Sequence, residues 1–155
     1  MREFGDLLGP GSVHFGIRVD GKKGLFKELS VLASPCVGAE PRDILAQLAR
    51  REQLGSTGFG DGVGLPHAQF DSLDRPTGVF LRLARPVDYD SADDIPVDCV
   101  FALFSPREDG AAHLRALAQV SRRFRDEDFV AKLRGARSED ALYALLTDYA
   151  AADAA

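Results

Sequence analysis

Gly55-Ser-Thr-Gly-Phe-Gly-Asp-Gly-Val-Gly-Leu-Pro-His67 runs five glycines, at 55, 58, 60, 62 and 64, into one histidine held behind a proline. Without Cβ atoms the glycines let backbone N–H groups turn towards an anion and approach it closely. Pro66 restricts Leu65 and fixes the chain direction just before the imidazole. The segment therefore presents His67 as a candidate phosphoryl acceptor. The amides of Gly62, Val63 and Gly64, continuing to Leu65, are candidate phosphate donors, and the hydroxyls of Ser56 and Thr57 could serve either a phosphate or the turn itself. The same glycines also suit tight chain reversal, which needs no chemistry. Two nucleotide motifs are excluded by spacing: Gly60-Asp-Gly62-Val-Gly64 does not complete a dinucleotide fingerprint, and no Gly-Lys-Ser/Thr follows.

The segment divides a helical half from a half that mixes strands with helices. Upstream, Leu25, Phe26, Leu29 and Leu32 repeat at the spacing of one helical face, predicting a helix over residues 22–33. Pro41 suits a helical first turn, and Ile44, Leu45, Leu48 and Ala49 carry a second helix to Leu54. Residues 13–19 read as an extended segment containing a structural His14. Downstream, residues 78–83 alternate as a strand, and residues 97–104 form an almost continuous apolar run, the mark of a strand buried on both faces. Residues 85–96 between them are polar and proline-containing, predicting a loop. Helices are expected from His113 to Phe124, from Glu127 to Arg134 with Gly135 as the stop, and from a Ser138 N-cap to Tyr149, before an alanine-rich tail that frays. The expected fold class is α/β, a single domain over residues 1–155 with its core in about residues 6–149.

Composition narrows the function. A chain of 155 residues can bury a sizeable core without help. A formal net charge of −5 disfavours nucleic acid as the partner. No apolar run is long enough for a membrane span, and no secretion signal opens the chain, so a cytoplasmic location is expected. Cys36, read as lying in a loop after Pro35, and Cys99, read as a small buried hydrophobe, suggest no disulfide framework. The histidines show no metal-ligand spacing, so neither metal nor cofactor is expected, and nothing sets an oligomeric state.

Residues 51–68, Arg51-Glu-Gln-Leu-Gly-Ser-Thr-Gly-Phe-Gly-Asp-Gly-Val-Gly-Leu-Pro-His-Ala, resemble the signature of enzyme IIA domains of the fructose/mannitol class in the bacterial phosphotransferase system. Among these they are most similar to nitrogen-regulatory IIA proteins. Further blocks follow in family order at Thr77-Gly-Val-Phe-Leu-Arg-Leu, Pro86-Val-Asp-Tyr-Asp, Pro96-Val-Asp-Cys-Val-Phe-Ala-Leu-Phe and His113-Leu-Arg-Ala-Leu-Ala-Gln-Val. The resemblance implies a mixed sheet flanked by helices. It also implies phosphoryl transfer to His67 from a histidine-containing phosphocarrier protein, ultimately from phosphoenolpyruvate, with Nε2 as the reacting atom.

His113 matches the family's second histidine, implied to orient the phosphoryl group, and Arg51 matches an arginine that could bind phosphate. Their bland readings are a helix-end surface histidine and a solvated arginine beside Arg50. Asp61 departs from the pattern, standing where nitrogen-regulatory members often have histidine. The implied role is a regulatory phosphocarrier acting on a target protein. The alternatives are a sugar-specific IIA handing phosphate to a IIB domain, or a docking module that has kept the fold and lost the chemistry.

Overall fold

The computed structural model describes residues 3–147. One mixed sheet organises them: β1 (Val13–Ile17), β2 (Gly58–Gly60), β3 (Val63–Gly64), β4 (His67–Phe70), β5 (Thr77–Val87) and β6 (Val97–Pro106). The helices are α1 (Lys22–Val37), α2 (Pro41–Gln53), α3 (Gly110–Phe124), α4 (Glu127–Gly135) and α5 (Glu139–Thr147). Strand order is β1-β5-β6-β3-β2, with β4 also paired to β6. β5 and β6 are antiparallel, β1 runs parallel to β5, and β3 and β4 follow one another along the free side of β6, both parallel to it. The expected mixed sheet flanked by helices is the architecture observed.

β6 is apolar on both faces because helices cover both. Cys99, Phe101 and Leu103 join the cluster beneath α3, α4 and α5, with Val120, Phe124, Phe129 and Leu133. Val100, Ala102 and Phe104 face the opposite way, onto Leu25 and Leu29 of α1 and Ile44 and Leu48 of α2. Each large side chain so buried contributes about 1.5–3 kcal/mol. Local signals start the helices. Asp109 and Asp126 accept backbone N–H bonds at the starts of α3 and α4, Ser138 accepts the Ala141 amide at 3.0 Å, and Pro41 fills the first turn of α2.

Four details differ from the sequence expectations. α1 continues past Pro35 to Val37, the missing N–H and the ring falling opposite the carbonyl of Val31, itself 56% exposed, and the helix stops instead at Gly38, with φ of 75°. Cys36 is therefore helical and half-buried rather than in a loop, and burial pushes its thiol pKa up. β5 likewise runs through Arg85 and Pro86 to Val87. Pairing jumps from Arg82 opposite Cys99 to Val87 opposite Val97, so Pro86 lies in an irregular stretch beyond the end of β1 and its missing N–H costs no ladder bond. α3 begins at Gly110, three residues ahead of His113. The expected last turn through Tyr149 and the alanine-rich tail lie outside the described residues.

The glycine segment folds as a hairpin. Asp61 and Gly62 have φ of 55° and 83°, the paired positive values that a two-residue hairpin turn requires, and β2 and β3 flank them. At Gly64 a Cβ would stand 3.0 Å from the ring of Tyr89, which is fully buried. Leu65 and Pro66 then interrupt the pairing with β6, and β4 resumes it at His67. The chain reversal read from the glycines is realised at the tip, and the presented imidazole at the far end.

Candidate active site

His67 opens β4 half-buried, with both ring nitrogens engaged. Nδ1 lies 2.9 Å from the Leu65 carbonyl oxygen, and the Arg51 Nε–H donates to Nε2 at 3.2 Å. A carbonyl only accepts and a guanidinium only donates, so the proton sits on Nδ1 and the lone pair on Nε2. Burial lowers the His67 pKa first; the Leu65 hydrogen bond raises it, the Arg51 charge lowers it and the Glu52 charge raises it. The net shift is downward, which keeps the ring neutral and Nε2 a nucleophile at neutral pH.

His113, in the first turns of α3, brings its ring centroid within 5.6 Å of that of His67. Its Nδ1 bonds the Ser105 hydroxyl at 2.8 Å, and its pKa is lowered by burial and then by the His67 charge. Ser105 is fully buried near the end of β6, so it holds the ring from below. The two imidazoles open onto a shallow cleft of about 330 Å³ bordered by Arg50, Arg51, Arg107 and Leu54, with no carboxylate in its lining. Arg107 is shared with Asp71 at 3.2 Å, an exposed pair of little energetic weight. Leu54 at 83% exposure and Leu114 at 67% leave apolar surface beside the two histidines.

Arg51 is held by a second bond, from Nη1 to the Gly55 carbonyl at 2.9 Å. Its neighbour Glu52 is saturated. The carboxylate accepts the Thr57 amide at 2.9 Å, the Thr57 hydroxyl at 2.6 Å and the Lys22 ammonium at 2.6 Å. The Tyr89 hydroxyl, its pKa pushed up by burial, completes the chain by donating to Thr57 Oγ1 at 2.8 Å. This network pins the end of α2 to the start of the glycine segment, so Arg51 meets His67 with little freedom left.

The sequence candidates divide. The structure brings His67, His113 and Arg51 together. Thr57 and Ser56 are committed to the loop: Ser56 Oγ lies 3.3 Å from the Tyr89 carbonyl and accepts the Gly58 amide at 3.1 Å. Gly62, Val63 and Gly64 are not brought to the cleft. Val63 pairs with Cys99 and His67 with Leu103, which at roughly 3.3 Å per residue separates them by on the order of 13 Å along β6. The Gly62 carbonyl accepts the Asp98 and Cys99 amides, so the hairpin belongs to the sheet. Asp61 is exposed at the tip, its N–H on the Asp93 carboxylate at 2.9 Å and its carbonyl accepting from Arg134. It stands away from the imidazoles. Ser105, Arg107 and Glu52 escaped the sequence reading; the polar residues directly after an apolar strand were the available signal for the first two.

A mixed sheet between two helical layers, with paired imidazoles at an arginine-lined cleft, is the frame in which comparisons with known proteins fall. The family model described as "Phosphoenolpyruvate-dependent sugar phosphotransferase system, EIIA 2" matches residues 6–149, and the chain belongs to that family. Its relatives include the nitrogen regulatory protein of Bradyrhizobium diazoefficiens, 40% identical over 141 residues covering 91% of this chain and 92% of that protein. A fructose-specific EIIA component of Haloferax volcanii is 35% identical, over 82% of this chain and 83% of the relative. The crystal structure of the nitrogen regulatory protein IIA-Ntr from Neisseria meningitidis superposes with a TM-score of 0.85 at 31% identity, covering 92% of this chain and 98% of that one. The mannitol IIA of Escherichia coli shares the fold, with a TM-score of 0.73 at 19% identity over 89% and 97% of the two chains. Among the described residues no helix is long and apolar enough to cross a membrane, and no cluster of His, Cys, Asp and Glu could hold a metal ion.

Proposed function

We propose that this protein is a phosphoryl carrier of the nitrogen-regulatory kind, accepting its group on His67 Nε2 from the phosphohistidine of a carrier protein charged ultimately by phosphoenolpyruvate. The observation that carries the reading is a neutral Nε2 at the mouth of an arginine-lined cleft that contains no carboxylate. The Nε2 lone pair attacks phosphorus as the donor's N–P bond breaks, and the departing imidazole keeps that bonding pair. Once Nε2 is bonded to phosphorus the ring is cationic, and its Nδ1–H remains on the Leu65 carbonyl. Arg51 can no longer donate to Nε2; its N–H groups turn to the phosphoryl oxygens, where charge is spread in the transition state. With the Ser105 hydroxyl as donor to its Nδ1, His113 would hold its own N–H at Nε2 and donate it to the same oxygens. The phosphoryl group's two negative charges, set against one positive charge on the ring, add a net negative charge at a cleft bordered by Leu54, which alters which protein surface can dock there.

A second reading has support in the 35% identity to a fructose-specific component: onward transfer to a IIB domain. One experiment tests both against the docking module. The protein is incubated with phosphoenolpyruvate and the general carrier proteins and weighed intact. An acid-labile gain of one phosphate, absent in His67→Ala, supports a carrier, and loss of that phosphate to an added IIB domain selects the transport role. A folded protein that gains nothing is a docking module, and the proposal fails.

A further inference from the structure

Away from the imidazoles, α1 and α2 enclose a groove of about 640 Å³. Phe26, Leu45 and Ala49 form its apolar walls, and Lys22, Lys23 and Lys27 stand around it. Lys22 is committed, lying 2.6 Å from Glu52 and 4.7 Å from the centre of the Tyr89 ring. Lys23 and Lys27 are exposed, and among the described residues neither has a hydrogen bond or ion pair. They sit one helical turn apart, a spacing at which like charges destabilise a helix. α1 adds to the positive potential, because its N-cap is Gly21 and no side chain satisfies the first-turn amides. Apolar walls beneath unneutralised ammonium groups complement a molecule that is apolar at one end and anionic at the other. The chain itself supplies the template for the head group: the anion already held here, on Lys22, is the Glu52 carboxylate, only 11% exposed at the groove's inner end.

We propose that this groove binds a small amphipathic carboxylate, with its head group between Lys23 and Lys27 and its apolar body on Phe26, Leu45 and Ala49, and that occupancy is felt at His67 through Lys22 and Glu52. The coupling needs no large motion. A ligand carboxylate held by Lys23 and Lys27 stands in the groove that Lys22 also lines and draws on that ammonium's field, leaving more of the Glu52 charge unneutralised. Glu52 adjoins Arg51, which bonds the imidazole, and its charge already acts on the His67 ring. The site would let a small metabolite bias the cleft without entering it.

The probe is 4-phenylbutyrate, titrated into the full isotope-labelled chain while amide and His67 ring resonances are followed by NMR. Saturating backbone amide shifts confined to residues 22–27 and 45–53 are expected, in the millimolar range typical of a ligand with about a dozen non-hydrogen atoms. The neutral 4-phenylbutyramide and the Lys23→Gln/Lys27→Gln double variant should each weaken binding at least about tenfold. His67 ring shifts should accompany saturation and vanish in Glu52→Gln, or in Lys22→Gln should that variant fold poorly, while the groove still fills. Equal binding of acid and amide, scattered or non-saturating shifts, or saturation by an acidic amphipathic peptide where 4-phenylbutyrate has no effect would each overturn the site. A filled groove with silent His67 resonances would overturn the coupling. None of these readouts uses phosphoryl transfer, so their failure is separate from failure of the carrier role.

Discussion

The hairpin at the middle of the Gly55–His67 segment and the imidazole that ends it lie against the same strand, yet they are built on opposite terms. At the hairpin end nearly every polar group is spoken for: Arg134 bonds both Asp98 oxygens and the Asp61 carbonyl, and the Gly62 carbonyl receives two amides. At the imidazole end Arg51 and His67 are bonded to each other and to the backbone, and the cleft beyond them is open. Closed satisfaction of polar groups makes scaffold, and a held imidazole beside an open cleft makes a candidate site. One stretch of thirteen residues does both because Leu65-Pro66 interrupts the ladder between them.

The comparison breaks most visibly at His113. His113→Ala should slow phosphoryl acceptance by about 10–100-fold, the scale of a lost positioning donor, while labelling at His67 still reaches completion. Rapid-quench kinetics decide it, and complete loss of labelling in a folded variant would assign His113 a bonding role. At the scaffold end, Gly64→Ala pushes a methyl group against the Tyr89 ring, and overpacking of that kind costs about 1–3 kcal/mol of stability by urea denaturation. Gly62→Ala meets a positive φ and the Arg134 guanidinium, for a loss of about 1–2 kcal/mol. Its phosphorylation rate should be unchanged at a temperature where it is folded. A rate loss matching the loss of His113 would return the glycine amides to the phosphate site.

The smallest effect is in pH. Both imidazoles have folded pKa values below their ordinary value, so between the two values the unfolded chain binds more protons than the folded one. Stability should be fully present above about pH 6.5 and should fall as pH drops through that value towards the folded pKa values. Denaturation midpoints at pH 7.5 and 5.5 should therefore differ less in a His67→Ala/His113→Ala protein than in the parent. An unchanged or opposite difference would show that the rings are not buried as neutral groups.

Much of this was legible in the residues. The apolar run at 97–104 announced a central strand because both its faces are covered, and the cap at Ser138 placed the last helix by local hydrogen bonding. Pro35 and Pro86 misled because their cost depends on what the missing N–H would have faced, which is a tertiary fact. Arg51 was readable through the family resemblance, which its place beside Arg50 alone did not supply. Ser105 and Glu52 were not, because their roles arise from contacts across 8 residues and across a helix–loop junction that periodicity does not report. The glycine amides were misplaced for the opposite reason: freedom to approach an anion and freedom to form a hairpin look identical in a string of letters.

In the proposed carrier role, the guanidinium resting on His67 Nε2 would also act as a latch. While that bond persists the lone pair is shielded from any loose electrophile, so small soluble phosphoryl donors such as acyl phosphates are expected to react sluggishly with the resting protein. A docked macromolecular donor, bringing anionic oxygens that draw the arginine aside, would open the way. Fidelity of signalling would then begin before any recognition surface is consulted; a faster reaction of Arg51→Ala with acetyl phosphate is the result that would reveal the latch, and an unaltered rate would dismiss it.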